Sequence, residues 1–250
     1  MHMTGNTILI TGGGSGIGRG LAEAFHRAGN QVIISGRRQS ALDEVTSANP
    51  GMASFIVDVI DEAAIAQFAA EVIGAFPALN IVINNAGIMV DEDFLAAPAY
   101  LTTAEDTIAT NLLGPIRLTA ALLPHLLTQE RASVMTVSSG LAFVPKASSP
   151  TYSATKAAIH SYTQSLRYQL RNTAVEVIEI APPYVQTTLQ GEQQASDPNA
   201  MPLDAYISET MELLAAGPEN GEVLVQRVHR QRFAEQTGNA AQMFGFINPA

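Results

Sequence analysis

Short apolar runs alternate along the chain with longer stretches in which apolar residues recur at helical spacing. The short runs predict buried strands, and the longer stretches predict amphipathic helices that pack on them. The predicted strands are Thr7–Thr11, Gln31–Ser35, Ala53–Val57, Leu79–Asn84, Ser133–Ser138 and Ala174–Ala181. The predicted helices are Gly16–Ala28, Arg38–Ala48, Asp61–Ala75, Thr103–Gln129, Tyr152–Leu170 and Leu203–Ala215. Pro115 and Pro124 are expected to break or kink the long fourth helix. This alternation predicts an α/β fold: a doubly wound, parallel, Rossmann-like sheet of six to seven strands flanked by helices.

The organisation of the chain favours one domain. Its 250 residues are enough for a single α/β unit, and no internal repeat or low-complexity linker interrupts them. We interpret residues 1–250 as that domain, with a C-terminal extension at 220–250. The polar stretch at 186–205 and the helix that follows it, together 186–215, are expected to form a mobile lid over a substrate. The alternative is a surface insertion without function.

Composition excludes several classes of protein. The chain is 47% hydrophobic and 14% charged, which excludes a disordered chain. A net charge of −10 argues against a nucleic-acid partner. Because cysteine is absent, neither disulfides nor a cysteine-based metal site or nucleophile is available. No signal-peptide pattern precedes the first strand and no apolar run could span a membrane, so a cytoplasmic protein without a membrane partner is expected.

The strongest chemical signal is Tyr152 and Lys156, four residues apart on a predicted helix, with Ser139 upstream. A spacing of four places the phenol and the ammonium one turn apart on one face. A nearby positive charge favours the phenolate, which lets the pair exchange a proton closer to neutral pH. Ser139 can hydrogen-bond the oxygen that gains or loses this proton. The set suits hydride transfer to or from a carbonyl carbon and requires no metal, although each residue alone would be ordinary.

A glycine-rich turn, Thr11–Gly18, lies between the first strand and the first helix. Its glycines permit a tight turn, and the helix N-terminus that follows can bind a pyrophosphate. The second strand ends in Arg37 and Arg38 rather than in an acidic residue that would bind a ribose hydroxyl. Two guanidiniums suit a 2′-phosphate, which predicts NADP(H) as the cofactor. The alternative is a solvated pair of charges near a helix start.

Two further strand ends carry polar residues. Asp58 follows the third strand and could accept a hydrogen bond from an adenine amino group, or could be a surface turn residue. Asn84 and Asn85 close the fourth strand, and Gly87 permits close approach of the backbone to a cofactor. The Asn84 side chain either contacts the cofactor or ties neighbouring elements together.

In order and spacing, these segments resemble the short-chain dehydrogenase/reductase family. The resemblance rests on Thr11–Gly18, Asp58, Val59, Asn84–Gly87, Asn111, Ser139, Tyr152 and Lys156. Phrases such as Ser139–Pro145 and Ala158–Tyr162 resemble one bacterial branch, labelled teichoic-acid D-alanylation-associated oxidoreductases. The resemblance implies a seven-stranded doubly wound sheet, a nicotinamide cofactor and dimers or tetramers.

The same resemblance implies a role for each polar residue. Tyr152 would be the acid/base, and Ser139, rather than Ser138, would orient the substrate oxygen. Lys156 would bind the nicotinamide ribose and lower the pKa of the phenol. Asn111 would hold a water that links Lys156 to solvent, unless it is only a helix-kink residue. The complete predicted cofactor site is Thr11, Gly12, Gly14, Ser15, Gly16, Ile17, Gly18, Arg37, Arg38, Asp58, Val59, Asn85, Ala86, Gly87, Tyr152, Lys156, Pro182, Val185 and Thr187.

The chain departs from the family pattern in two places. Pro183 follows Pro182 where the family usually has Pro-Gly, although Val185 and Thr187 still match positions that contact the carboxamide. The C-terminus lacks the usual glycine-rich ending, which puts a seventh strand and tetramer contacts in doubt and favours a homodimer. His160 is interpreted as a buried or interface histidine rather than a catalytic one.

The sequence therefore predicts an NADP(H)-dependent carbonyl reductase, or an alcohol dehydrogenase in reverse. The substrate would be a small, apolar or aromatic ketone, aldehyde or secondary alcohol. Its predicted pocket is Ser139, Phe143, Pro145, Tyr184 and Leu189, although core packing explains the apolar members equally well. Two alternatives stay open: an NAD-dependent 3-hydroxy acid or amino alcohol dehydrogenase, for which the loop shows no clear basic clamp, and a non-catalytic NADP-sensing protein.

Overall fold

The computed structural model of the chain describes residues 2–249. Its strands are β1 (Thr7–Thr11), β2 (Gln31–Gly36), β3 (Ala53–Ile56), β4 (Leu79–Asn84), β5 (Ala132–Val137), β6 (Val175–Ile180) and β7 (Glu222–Val223). Its helices are α1 (Gly16–Arg27), α2 (Gln39–Ala48), α3 (Glu62–Ala75), α4 (Leu101–Ile108), α5 (Gly114–Leu126), α6 (Pro150–Leu170), α7 (Glu192–Ser196), α8 (Leu203–Ala216), α9 (His229–Arg232) and α10 (Ala240–Ile247). The strands form one parallel sheet in the order β3-β2-β1-β4-β5-β6-β7, as the alternation of strands and helices predicts.

The sheet is covered on both faces, which explains why its strands are continuous apolar runs. In β1, Ile8 and Ile10 point into one core and Leu9 into the other, and all three are fully buried. Phe25 of α1 belongs to the first core, and Phe68 of α3 belongs to the second. Burial of each large apolar side chain contributes about 1.5–3 kcal/mol, so these two cores hold the sheet and its helices together.

The strand order reverses between β1 and β4, since the chain builds outward from β1 in both directions. In a doubly wound sheet such a switch point leaves a crevice at the carboxyl ends of the strands. The residues after β1 and β4 therefore face a common opening.

The predicted helix Thr103–Gln129 is interrupted in the structure. Residues Ala109–Leu113 form a π-helical turn between α4 and α5, and Pro115 lies in the first turn of α5. Proline has no N–H to donate to the carbonyl four residues earlier, here that of Asn111, and this loss shifts the hydrogen-bond ladder. Pro124 is accommodated inside α5.

The loop at 186–202 is pinned at both ends by backbone contacts. Gln186 N donates to Met201 O (2.8 Å), and Met201 N donates to Tyr184 O (2.8 Å). Inside the loop, the buried side chain of Gln194 donates to Val185 O (2.8 Å) from the short helix α7, which the sequence pattern did not predict. The expected role of this segment as a mobile lid stays a prediction.

A seventh strand forms despite the doubt raised by the unusual C-terminus. Glu222 and Val223 pair with Glu179 and Ile180 at the edge of the sheet. After β7, the chain returns over the carboxyl ends of the strands as α9 and α10. In the part of the chain that the structure describes, every helix is too short or too polar to cross a membrane.

Candidate active site

The glycine-rich turn brings the N-terminus of α1 close to the ends of β1 and β4. Gly12 has φ +68°, a conformation that favours glycine, and a Cβ there would lie 3.0 Å from the Ala86 Cα. At Gly18, a Cβ would collide with the Gly12 carbonyl oxygen and with the Asn85 side-chain amide. The turn can therefore pack against the helix only with glycine at both positions.

Thr11 fastens this turn to the end of β4. Its hydroxyl accepts hydrogen bonds from the backbone N–H groups of Asn85 and Ala86, both at 3.0 Å. The Asn85 side-chain amide donates in return to Thr11 O (2.9 Å). The side chain of Asn85 thus builds the turn.

Replacing Thr11 by Val is expected to lower the free energy of unfolding by about 2 kcal/mol, because two partly buried N–H groups lose their acceptor in a side chain of equal shape. Thr11→Ser keeps the hydroxyl and is the matched control, expected to lose less. Urea denaturation of the three proteins measures the difference, and equal stability of the Val and Ser variants would show that the hydroxyl contributes nothing.

A cleft of about 460 Å³, here called the glycine cleft, opens beside this turn. Its predicted lining residues are Thr11, Gly12, Gly14, Ser15, Arg37, Arg38, Asp58, Val59, Ala86 and Gly87. Residues that the sequence analysis missed are Ser35, Gly36, Ala41, Leu42, Val57, Ile88 and Thr110. Four of the missed residues, Ala41, Leu42, Val57 and Ile88, are apolar, so no polar or glycine signal marked them.

The remaining predicted cofactor residues lie outside the lining of the glycine cleft. Gly16, Ile17 and Gly18 belong to the first turn of α1. Val185 is buried beneath the loop. Thr187 packs against Gly16, since a Cβ added to Gly16 would lie 3.4 Å from the Thr187 side chain.

Arg37 and Arg38 are exposed at the edge of the glycine cleft. Within residues 2–249, neither guanidinium makes an ion pair with an acidic side chain. Asp58 lies in the same cleft and accepts a hydrogen bond from Ile60 N (3.1 Å), which leaves its second oxygen available. The cleft therefore presents two unneutralised cations in a chain of net charge −10.

The two asparagines whose roles were left open have structural partners. Asn84 is buried and donates to the Thr119 hydroxyl on α5 (3.1 Å), so it ties the strand to a helix. Asn111 lies in the π-helical turn, and its side chain accepts from Ile88 N and donates to Ile88 O, both at 2.8 Å. Asn111 thus holds the backbone of a residue that lines the glycine cleft.

Ser139, Tyr152 and Lys156 come together where β5 ends. All three are at least nine-tenths buried, and the Ser139 hydroxyl lies beside the Tyr152 phenol. Lys156 donates to Val137 O (2.8 Å), and its Nζ lies 5.4 Å from the centre of the Tyr152 ring. Ser138 turns away toward β6, at 3.5 Å from Ile180 O. The structure thus brings together the three residues that the sequence motif selected.

The pKa of the phenol differs from the sequence-based expectation. Burial raises the pKa of Tyr152 to about 12, and the hydrogen bond to Ser139 opposes that shift. Burial also lowers the pKa of Lys156 to about 8, and the charge of Glu179 opposes that shift. The net shift of the phenol's pKa is upward because removal from water is the largest cause, and the expectation that Lys156 lowers this pKa stays a prediction.

The lowered pKa of Lys156 predicts a pH-dependent stability. Below pH 8 the folded protein holds a buried ammonium that the unfolded chain solvates, and this penalty is relieved as pH rises from about 8 to the unfolded value of 10.5. Between pH 7 and 10.5, the wild type should therefore gain about 3 kcal/mol of unfolding free energy relative to Lys156→Met. Urea denaturation at several pH values measures this difference. Lys146→Met, which removes a partly exposed lysine, is the control. If the difference in unfolding free energy between wild type and Lys156→Met varied with pH no more than the difference between wild type and Lys146→Met, the lowered pKa of Lys156 would be contradicted.

His160 belongs to a buried charge network beside this site. Its Nδ1 lies 2.7 Å from the Glu179 carboxylate. Glu179 on β6 pairs with Glu222 on β7, and the Glu222 carboxylate forms an ion pair with Arg232 at 2.8 Å. The ring of Phe143 packs edge-on against His160, with the Arg232 guanidinium 4.9 Å from its centre. His160 is thus a partly buried structural residue, as expected. Phe143 is not among the residues that line the neighbouring cavity, so its predicted place in the substrate pocket stays a prediction.

A second space of about 410 Å³, here called the apolar cavity, adjoins the glycine cleft. Ile88 lines the cleft and the next residue, Met89, lines the cavity, so the two spaces lie side by side. Predicted residues in the cavity wall are Ser139, Tyr152, Pro182, Tyr184 and Leu189. The wall lacks Pro145, whose carbonyl instead accepts from the Asn248 side chain (3.1 Å).

Much of the outer wall comes from the C-terminal segment. The sequence analysis did not place these residues in a pocket: Arg227, Arg230, Gln231, Met243, Phe246 and Ile247. Arginines at 227, 230 and 232 were a visible signal, but nothing in the local pattern showed that α9 and α10 return over the cavity.

The doubly wound sheet with a glycine-rich turn at its switch point defines a dinucleotide-binding type of fold. Residues 6–198 match the family described as short chain dehydrogenase. The chain is 44% identical over 189 residues to the uncharacterized oxidoreductase DltE of Bacillus subtilis strain 168, with 76% of this chain and 75% of that protein covered. The chain therefore belongs to the short-chain dehydrogenase family and is an oxidoreductase that resembles DltE.

Solved structures agree with this fold. A short chain dehydrogenase/reductase from Burkholderia phymatum in complex with NAD superposes with a TM-score of 0.83 at 21% identity, covering 100% of this chain and 98% of that one. A closed form of serine dehydrogenase complexed with NADP+ gives a TM-score of 0.77 at 26% identity, with 87% and 92% covered. The first similarity supports the fold alone.

Proposed function

We propose that the protein is an NADP(H)-dependent carbonyl reductase, which in reverse acts as an alcohol dehydrogenase. The observation that carries this proposal is the convergence of Ser139, Tyr152 and Lys156 beside the junction of the glycine cleft and the apolar cavity. The place where a cofactor and a substrate could touch then holds a proton donor (Tyr152), a hydroxyl (Ser139) and a buried cation (Lys156).

The residues of the glycine cleft suit a nicotinamide dinucleotide. The open turn at Gly12 and Gly14 and the N-terminus of α1 provide space and N–H groups for a pyrophosphate. Arg37 and Arg38 can bind a 2′-phosphate through charge-assisted hydrogen bonds. When bound, the cofactor supplies the hydride.

The roles of the polar residues follow from their contacts. Because burial keeps Tyr152 protonated at neutral pH, its phenol can donate a proton to a carbonyl oxygen in the reduction direction. Ser139, which lines the cavity beside that phenol, can donate a second hydrogen bond to the same oxygen. Lys156 stabilises negative charge on the tyrosine after transfer. Asn111 positions Ile88 in the cleft wall, because its side-chain amide bonds both the N–H and the carbonyl of Ile88. The water that Asn111 is proposed to hold stays a proposal.

A second candidate is oxidation of a 3-hydroxy acid or amino alcohol. Similarity to a serine dehydrogenase complexed with NADP+ supports it, and so do the arginines in the cavity wall. For this alternative, NADP is favoured over NAD as the cofactor, because Arg37 and Arg38 lie in the glycine cleft. A non-catalytic NADP-sensing protein would have no need of the buried Ser139–Tyr152–Lys156 set.

The predicted homodimer stays a proposal. It is supported by α10, which leaves Phe244 and Phe246 on the surface, 44% and 71% exposed.

Steady-state assays test the proposed function directly. Purified protein is mixed with NADPH or NADH and a panel of ketones, aldehydes and keto acids, and loss of nicotinamide absorbance is followed. We expect turnover with NADPH and much less with NADH. Tight NADPH binding without turnover on any carbonyl or alcohol would favour the sensing protein instead.

A further inference from the structure

The wall of the apolar cavity contains three cations and no acidic side chain. Lys146, Arg227 and Arg230 line it, although the chain as a whole has 23 acidic and 13 basic residues. The rest of the wall is largely apolar or uncharged. The wall of this cavity is therefore positively charged, whereas the chain as a whole is acidic. A positively charged wall favours an anionic ligand.

Two of the three cations are available to a ligand. Lys146 is partly neutralised by Asp91, whose carboxylate oxygen lies 4.0 Å from its Nζ. Arg227 donates to the backbone oxygen of Asn199 (2.6 Å), a contact that fixes the guanidinium without neutralising it. Arg230 lies 5.8 Å from the centre of the Phe246 ring. Over the described residues 2–249, neither arginine forms an ion pair with a carboxylate.

The acidic residue nearest in sequence to the Arg227 contact is already engaged. Asp197 accepts from the Tyr184 hydroxyl (3.1 Å) and from Asn199 N (2.8 Å), and these hydrogen bonds lower its pKa. It therefore holds the loop and Tyr184 together, and leaves the charge of Arg227 uncompensated.

The arginines are tied to the candidate catalytic residues through α9. The side-chain amide of Gln231 packs directly on Gly140, where a Cβ would collide with it, and Gly140 is the residue after Ser139. Arg230 precedes Gln231, and Arg227 lies about one helical turn before it. The two exposed arginines thus line the same cavity as Ser139 and Tyr152, the residues that the carbonyl would meet.

We propose that Arg227 and Arg230 bind an oxoanion of the substrate, in the simplest case a carboxylate. The substrate class is then a keto acid, or the corresponding hydroxy acid, with an apolar segment between the carbonyl and the anion. Guanidinium forks match carboxylates in geometry, and the apolar wall accommodates the segment between the two polar ends. This inference rests on the proposed function, whose predicted substrate carried no charge.

Matched substrates and variants test the oxoanion site. The initial rate is measured with NADPH for a series of aliphatic and aromatic keto acids and for the methyl ester of each. Arg230→Gln, Arg227→Gln and the double variant remove the charge and keep a polar, shorter side chain, and Arg171→Gln just after the C-terminus of α6 is the control. We expect the wild type to prefer the best acid over its ester by at least 10-fold in kcat/KM. The double variant should lose this preference through a higher KM for the acid, so that it uses acid and ester with similar kcat/KM.

Two results overturn the inference: equal or better use of the esters by the wild type, and an acid preference that survives in the double variant. A failure of the proposed function is recognised separately. If no carbonyl is reduced, calorimetric titration of the acids into protein saturated with NADP+ still decides the site. Binding that weakens at least 10-fold in the double variant, and not in Arg171→Gln, supports an oxoanion site in a non-catalytic protein. Absence of binding, or equal binding by all variants, refutes it.

Discussion

Replacing Tyr152 by Phe is expected to lower kcat by about 10²- to 10⁴-fold, the usual contribution of a positioned general acid. The change removes one hydroxyl from a side chain that is 6% exposed, and with it the phenol that lies beside Ser139. Because the ring remains in place, the fold should persist. The affinity for NADPH should stay within about threefold, since the lost group serves proton transfer rather than binding.

Tyr168→Phe on the same helix is the matched control, because Tyr168 is 67% exposed and only stacks on Arg171. Its kcat should equal that of the wild type. Stopped-flow measurement of NADPH oxidation at saturating substrate separates chemistry from product release. Turnover by Tyr152→Phe at the wild-type rate would remove Tyr152 from the mechanism.

Replacing Arg37 and Arg38 together by Gln should raise the Kd for NADPH by about 100-fold or more. Each charge-assisted contact to a phosphate contributes about 1.5–3 kcal/mol, and 1.4 kcal/mol corresponds to tenfold in affinity. NADH lacks the 2′-phosphate, so its affinity should change by less than about threefold. The variant should therefore bind the two cofactors with similar strength.

Fluorescence titration of purified protein with each cofactor measures this change. Arg131→Gln removes an exposed arginine just before β5, at the opposite end of the sheet, and should leave both affinities unaltered. The wild-type preference for NADPH should also weaken at higher salt, since exposed charges are screened. Equal binding of NADPH and NADH by the wild type would mean that the two arginines are ordinary surface charges.

The sheet and its switch point could be predicted from the sequence because their signals are local. Each strand is an apolar run such as Thr7–Thr11, and each helix has its own periodicity. The Tyr152–Lys156 spacing likewise lies within one helix. Boundaries moved by one to three residues. The interruption expected at Pro115 is present as the π-helical turn at 109–113, which the sequence pattern does not distinguish from a simple break.

The substrate side of the site could not be predicted in the same way, because its geometry depends on contacts between distant segments. Phe143 was expected in the pocket on its apolar character, but its ring packs against His160 and Arg232. Arg227 and Arg230 enter the wall only because α9 packs on the residue after Ser139. The raised pKa of Tyr152 was missed for a related reason, since burial is a property of the complete fold.

The central claim is that hydride passes directly between the nicotinamide and a carbonyl carbon. We would measure it with NADPH deuterated at C4 of the nicotinamide, on each face in turn, and the best carbonyl substrate from the panel. The account predicts that one of the two labelled cofactors places a single deuterium on the carbinol carbon of the alcohol product. Product without deuterium from either cofactor, or with deuterium only when the solvent is D₂O, would contradict it.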